Sequence, residues 1–153
     1  MFGEKISDTY SQKTYYSFPT AQRLAQLEPK DLAPLRAGYR DVYILDAAQK
    51  VADNTIDLCA VKSMSDEDAK KYLMQIKGIG GKVADCILLF SLGRYSVFPT
   101  DVWIKRILRD VYGTDDNLIP EFVSKKFGNL AGYAQQYLFF YGRENGIGKN
   151  DKK

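Results

Sequence analysis

The chain has 153 residues, a formal net charge of +3, 45% hydrophobic residues and 27% charged residues, which is ordinary for one globular domain. It contains no histidine and two cysteines, which excludes histidine-dependent catalysis, most zinc sites, an iron–sulfur cluster and a disulfide scaffold. There is no run of 18 apolar residues and no signal-peptide pattern, so we expect no membrane segment and a cytoplasmic location.

The N-terminal part predicts short helices separated by turns. Residues 4–17 show no clean periodicity and predict a loop, and no part of the sequence predicts a convincing strand. Thr20 is a predicted helix N-cap, and Pro29 suits the first position of the next helical turn. Further helices are predicted from Tyr39 to about Val51 and over 55–61.

The C-terminal part predicts longer helices on the same criteria. Ser65 begins a helix with acidic residues in its first turn. After a glycine cluster, helices are predicted over 82–92, Val102–Tyr112 with Asp101 as N-cap, Pro120–Phe127 and Ala131–Arg143. We therefore predict an all-α fold with one helical portion over 1–143 and a frayed tail over 144–153.

The glycine cluster is Lys77-Gly78-Ile79-Gly80-Gly81-Lys82. Glycines at this density permit a tight turn and the close approach of another backbone. Amides at such a turn and at the start of the next helix can bind an anion. The spacing does not match a P-loop or a dinucleotide-binding fingerprint. On spacing alone, an ordinary helix–turn–helix corner and a phosphate site both remain open.

The residues after the glycine cluster carry a family resemblance. Lys82 and Cys86 are four residues apart and share one helix face. A Phe98-Pro-Thr-Asp101-Val segment follows. Together these motifs resemble the helix–hairpin–helix (HhH-GPD) DNA glycosylases, and more narrowly the 8-oxoguanine DNA glycosylases with lyase activity. The resemblance covers nearly the whole chain.

The resemblance implies the catalytic residues Lys82 and Asp101. The lysine amine would attack the sugar C1′ and form a Schiff base, which permits strand cleavage by β-elimination. The aspartate would stabilise positive charge that develops on the sugar. On residue type alone, Lys82 is a solvated lysine and Asp101 an N-cap, and the N-cap and catalytic roles are compatible.

The resemblance also implies a base pocket formed by Cys86, Gln135 and Phe139. Gln135 and Phe139 are four apart on the last predicted helix, and a glutamine amide can both donate to and accept from a purine edge. Trp103 stands where some family members have histidine, and it is included in the expected pocket. On residue type alone, Cys86 and Phe139 are core residues.

DNA contacts are expected at two places. Tyr39 and Arg40 match a Gly-Tyr-Arg motif whose tyrosine wedges beside the unpaired cytosine and whose arginine hydrogen-bonds it. The hairpin is expected to hold a phosphate through Gly78, Gly80, Gly81 and Val83. In the family, hairpin carbonyls bind a cation, which here would be a monovalent or calcium ion on the carbonyls of Met74, Ile76 and Ile79. No cofactor is otherwise expected.

The implied activity is base-excision repair of double-stranded DNA that contains 8-oxoguanine, in the cytoplasm and at the nucleoid in a prokaryote. Family members also carry an N-terminal sheet-containing domain and earlier helices that this sequence lacks. This departure leaves open a truncated, catalytically weak DNA-binding module, or a helical interaction fragment. Uncovered apolar surface would favour self-association.

Overall fold

The computed structural model describes residues 2–8 and 10–147, and within it the chain folds into two compact units. The first unit takes in the chain up to Ser63 together with Tyr72–Gly78. The second takes in Met64–Lys71 and the chain from Ile79 onward. Helices dominate both units, which confirms the predicted all-α class. None of the helices in the described ranges has the length and apolar character needed to cross a membrane.

The first unit is built around two helices that pack on each other, α1 (Ala21–Ala25) and α2 (Asp41–Ala52). The Thr20 hydroxyl accepts a hydrogen bond from the Arg23 amide at 3.1 Å, which confirms the predicted N-cap. The chain between the helices forms 3₁₀ turns over Pro29–Leu35 and Gly38–Arg40.

The next helix, α3 (Leu58–Val61), is shorter than the helix predicted over 55–61. Its N-cap is Asp57, whose carboxylate accepts a hydrogen bond from the Cys59 amide at 2.7 Å. A capping aspartate has extended backbone, so the residues before it lie outside the helix.

The structure corrects the loop prediction for residues 4–17. Strands β1 (Lys5–Ser7) and β2 (Thr14–Tyr16) pair as a small antiparallel sheet with Ile6 opposite Tyr15. β-Branched and aromatic residues favour such pairing. Three-residue strands are too short to display a period, so sequence patterning missed them. The strand residues are exposed, and the fold class is unchanged.

In chain order, α4 (Asp66–Leu73) and α5 (Gly81–Cys86) flank the glycine cluster. The Asp68 amide donates to the Ser65 hydroxyl at 3.1 Å, and this hydroxyl donates to the Asp68 carboxylate at 2.7 Å. The predicted start of α4 is therefore confirmed. The α-helix predicted over 82–92 is instead α5 followed by a π-helical turn over Ile87–Ser91.

The core of the second unit lies between three helices, α6 (Val102–Tyr112), α7 (Ile119–Phe127) and α8 (Ala131–Glu144). Their bounds agree with the predicted ones to within one residue. The buried side chains that form this core are Ile104, Ile107, Leu108, Ile119, Val123, Ala131 and Leu138.

The start of α8 is fixed by a close backbone approach at Gly132. Its amide donates to the Tyr95 carbonyl at 2.7 Å. A Cβ at this position would lie 2.3 Å from Cδ1 of Leu89 and 3.1 Å from the carbonyl oxygens of Tyr95 and Val97, so a side chain here would require these neighbours to shift. At its other end α8 includes Glu144, the first residue of the predicted frayed tail. Residues 148–153 of that tail lie outside the described residues.

Candidate active site

One cavity of about 300 Å³ in the second unit brings together five of the residues predicted to form the site. Lys82 reaches it from the first turn of α5, and Asp101 reaches it from the N-cap of α6. The remaining lining residues are Cys86, Phe90, Pro99, Gln135, Gln136 and Phe139. An amine, a carboxylate, an amide and an aromatic ring therefore face the same space.

Asp101 caps α6 and also faces the cavity. Its backbone is extended, and its Oδ1 accepts a hydrogen bond from the Ile104 amide at 2.8 Å. The other carboxylate oxygen accepts no hydrogen bond from the described residues. Capping therefore occupies one oxygen and fixes the side chain, while the second oxygen remains free to interact with a ligand.

Lys82 is exposed and makes no ion pair or hydrogen bond with any described residue. Its amine is therefore not held in a structural salt bridge. Cys86 lies one turn further along α5 as a partly buried free thiol on the same cavity. The spacing of four residues predicted this shared face.

Two neighbouring glutamines of α8 line the cavity. Gln135 is buried, with 6% of its surface exposed. The Nε2 of Gln136 donates a hydrogen bond to the Oε1 of Gln135. The Nε2 of Gln135 has no hydrogen-bond partner among the described residues. Phe139 follows one turn later and is partly buried against the core of the unit.

Trp103 does not line this cavity, although it was expected in the pocket. Its side chain packs against the hydrophobic core of the second unit. Its Nε1 is buried without a hydrogen-bond partner among the described residues, and lies 3.5 Å from where a Cβ on Gly142 would be. Trp103 comes two residues after Asp101, and residues two apart on a helix do not share a face, so Trp103 lies on a different side of α6 from the cavity.

Lys82 also lines a second cavity, of about 510 Å³. Lys70 and Asp85 form an ion pair there at 2.8 Å. Burial raises the pKa of Asp85, and the hydrogen bond from Lys70 opposes that rise. This pair links α4 to α5, the helix that carries Lys82, within the second unit.

The two residues predicted to contact the DNA bases, Tyr39 and Arg40, immediately precede α2 in the first unit. Tyr39 is 76% exposed, in the 3₁₀ turn Gly38–Arg40. Its ring meets Tyr43 edge-on with centroids 5.8 Å apart. The Nε of Arg40 donates to the Ala37 carbonyl at 3.1 Å. The pair is thus exposed as predicted, and both side chains have local support.

Gly78 contacts the same tyrosine, Tyr43. Its φ is +84°, and a Cβ there would lie 2.3 Å from Cδ2 of that ring. The preceding amide, of Lys77, donates to Asp46 at 2.7 Å and holds the pKa of that carboxyl below its usual range. Lys50 pairs with Asp46 at 3.0 Å. Helix α2 therefore fixes this part of the turn.

The other glycine-cluster residues lie at the start of α5. Gly80 is its N-cap, with extended backbone (φ −90°, ψ 176°) and no atom within 4 Å of a notional Cβ. The amides of Gly81, Lys82 and Val83 donate to no described residue, as expected for a first helical turn. Such amides can meet a phosphate oxygen.

The carbonyl oxygens proposed for a cation belong to Met74, Ile76 and Ile79. Each accepts no hydrogen bond from the described residues, so each is chemically free to bind a hard cation. Lys50 donates to the intervening Gln75 carbonyl at 2.6 Å. In the described part of the chain, no group of three or more acidic or cysteine side chains could hold a metal.

Two helices, α4 and α5, precede and follow a glycine-rich turn, which is the element order of a helix–hairpin–helix protein. Residues 4–131 match the HhH-GPD superfamily of base excision DNA repair proteins, and the chain belongs to that family.

Three relatives illustrate the match. A probable N-glycosylase/DNA lyase of Methanothermobacter thermautotrophicus is 31% identical over 92% of this chain and 52% of its own length. The structure of MBOgg1 with a low-affinity DNA ligand superposes with a TM-score of 0.87 and 45% identity, over 95% of this chain and 50% of its own. The 8-oxoguanine glycosylase/lyase of Clostridium acetobutylicum, bound to double-stranded DNA with cytosine opposite 8-oxoguanine, superposes with a TM-score of 0.83. It is 38% identical over 95% of this chain and 50% of its own. The chain therefore spans about half the length of these relatives.

Sequence reasoning missed three residues that line the cavity. Phe90 is four residues after Cys86, so helical spacing could have identified it. Pro99 was already part of the quoted Phe-Pro-Thr-Asp motif. Gln136 gave no signal, because adjacent residues on a helix point in different directions.

Proposed function

We propose that this chain carries the catalytic part of a bifunctional 8-oxoguanine DNA glycosylase with lyase activity. The observation that carries the proposal is the shared cavity, which is lined by Lys82, Asp101, Gln135 and Phe139. Among the described residues, Lys82 has no ion-pair partner, and only one Asp101 carboxylate oxygen accepts a hydrogen bond. An amine nucleophile, a charge-stabilising carboxylate and a base-reading amide suit excision of a flipped purine through a covalent intermediate.

The proposed reaction begins with attack of the Lys82 amine on the sugar C1′. The bond from C1′ to the base nitrogen breaks, and the base leaves with the electron pair and takes one proton from the amine. The amine nitrogen then expels O4′, which is protonated by water, and a Schiff base links the lysine to C1′. Loss of a C2′ proton expels the 3′ phosphate, which cleaves the strand. The Asp101 carboxylate stabilises the positive charge on the sugar.

Base recognition in this proposal uses both sides of the cavity. Gln135 hydrogen-bonds the pairing edge of the extruded base, while the Phe139 ring and the Cys86 thiol pack on its faces. Tyr39 and Arg40 fill the space that the base leaves in the duplex. The exposed tyrosine and the adjacent guanidinium support this role, because one can stack and the other can donate two hydrogen bonds.

The proposed partner is double-stranded DNA with 8-oxoguanine, which the chain would meet in the cytoplasm, at the nucleoid in a prokaryote. The amides of the glycine cluster would hold a phosphate, and a monovalent or calcium ion would bind the free carbonyls of Met74, Ile76 and Ile79. Exposed aromatic side chains on α8, such as Tyr137 and Phe140, would also favour self-association.

The test is single-turnover excision on a duplex with one 8-oxoguanine opposite cytosine. Strand breaks that appear without alkali report the lyase step, and additional breaks after alkali report excision alone. The proposal expects both from the parent chain, and neither from Lys82→Gln. Salt-sensitive DNA binding without either product, from a folded chain, would instead support the non-catalytic DNA-binding module.

A further inference from the structure

We propose that Gln136 is a positioning residue, which fixes the orientation of the Gln135 amide and so sets which purine edge the pocket accepts. This inference rests on the proposed function, in which Gln135 reads the base. It concerns a residue that neither touches the sugar nor takes part in bond cleavage.

The contact between the two glutamines carries the inference. Both line the same cavity, and the Nε2 of Gln136 donates to the Oε1 of Gln135. Gln136 is exposed, whereas Gln135 is buried, with 6% of its surface exposed. The Nε2 of Gln135 has no partner among the described residues and remains a free donor.

The orientation of an amide decides what it can read. Rotation of the Gln135 amide by half a turn exchanges its donor and acceptor. A guanine-type edge presents the O6 acceptor beside the N1–H donor, whereas an adenine-type edge presents an amino donor beside the N1 acceptor. A freely rotating amide serves both edges. An amide whose oxygen is held by Gln136 can pair with only one of the two edges. Under the proposed excision of 8-oxoguanine, that edge is the guanine type.

Exposure alone would make Gln136 a solvated surface residue. Its position on α8, one residue from Gln135, would also direct it away from the cavity face that Gln135 and Phe139 share. Its amide nevertheless reaches the Gln135 oxygen and lines the cavity. This hydrogen bond therefore directs the Gln136 side chain towards the pocket, although the residue is exposed.

The test compares the parent with Gln136→Leu, Gln136→Glu and Gln136→Lys. The leucine removes the donor. The glutamate, ionised at neutral pH, accepts from Gln135 and turns its amide over. The lysine restores a donor. Each protein is assayed for single-turnover excision of 8-oxoguanine and of 8-oxoadenine, and for lyase activity on a preformed abasic site, which involves no base recognition.

We expect the preference for 8-oxoguanine over 8-oxoadenine to fall about tenfold in Q136L, the loss typical of one hydrogen bond. It falls further in Q136E and recovers in part in Q136K. Because Gln136 lines the same cavity as Lys82, excision of each base is expressed relative to the lyase activity of the same variant on the abasic site. A purely structural role predicts no such order of base preference. An unchanged preference in Q136L and Q136E, with lyase activity intact, overturns the inference.

A second measurement does not depend on activity. The side-chain amide signals of Gln135 in a ¹H–¹⁵N NMR spectrum, assigned with Gln135→Glu, report its hydrogen bonding in the free protein. We expect Q136L to move them and Q136K to return them towards the parent positions. Unmoved signals overturn the positioning role. If the parent shows neither excision nor lyase activity, the proposed function is wrong. The amide signals still show whether Gln136 hydrogen-bonds Gln135.

Discussion

Replacement of Gly78 by alanine tests how the glycine cluster is supported. The new Cβ would lie 2.3 Å from Cδ2 of Tyr43, and the residue would keep a φ of +84°. Alanine in this left-handed region costs about 1–2 kcal/mol, and overpacking against a ring costs about 1–3 kcal/mol. We expect the free energy of unfolding to fall by about 2–5 kcal/mol in total.

The matched control is Gly80→Ala, two residues further on. Gly80 has an ordinary extended backbone, and nothing lies within 4 Å of its notional Cβ. Alanine is a poorer N-cap than glycine but also restricts the unfolded chain, so the two effects oppose each other and the free energy of unfolding should change by less than about 1 kcal/mol. Urea unfolding followed by circular dichroism measures both variants.

A double-mutant cycle separates the steric cost of the new methyl group from the cost of the positive φ. Tyr43→Ala removes the ring that the new methyl group strikes, so the combined variant should lose about 1–3 kcal/mol less than the sum of the single variants. The φ cost remains in either background. Equal stability of G78A and G80A, or strict additivity with Y43A, would refute the steric account of this turn.

Two further substitutions test the contribution of Asp46 to stability and the role of Asp101 in excision. The Lys77 amide holds the pKa of Asp46 low, so this carboxylate stabilises the fold above the ordinary aspartate pKa of about 4, and that contribution is lost as the pH falls through the lower folded value. Asp46→Ala should therefore lose less unfolding free energy than the parent on acidification, and an identical pH profile by urea titration would contradict this. Asp101→Asn keeps an N-cap acceptor for Ile104, so it should retain stability to within about 0.5 kcal/mol and yet lose excision about a hundredfold. Asp101→Ala should lose both, including about 1 kcal/mol of stability. Excision by D101N at the parent rate would leave Asp101 as a cap only.

Local sequence signals predicted most of the helices, because caps and periodicity act over a few residues. Thr20, Ser65 and Asp101 each cap the helix that follows, as their residue types indicate. The small sheet of β1 and β2 was missed, because three-residue strands show no period. The π-helical turn after Cys86 was also missed, since its hydrogen-bond shift leaves no pattern in residue type.

The candidate site was predicted as far as helical spacing and family motifs reach. Lys82 with Cys86, and Gln135 with Phe139, face one cavity because residues four apart share a helix face. Trp103 was expected in that cavity and instead packs on the core. Support from Tyr43 depends on contacts between segments distant in the chain, which one sequence does not reveal.

Borohydride trapping tests the central claim most directly. The parent chain and Lys82→Gln are each incubated with a duplex that carries 8-oxoguanine opposite cytosine, and a Schiff base is reduced to a stable protein–DNA adduct. The account predicts an adduct from the parent and none from K82Q, which has no amine at this position. An adduct of equal yield from K82Q, or none from a folded parent that binds the duplex, would contradict Lys82 as the nucleophile.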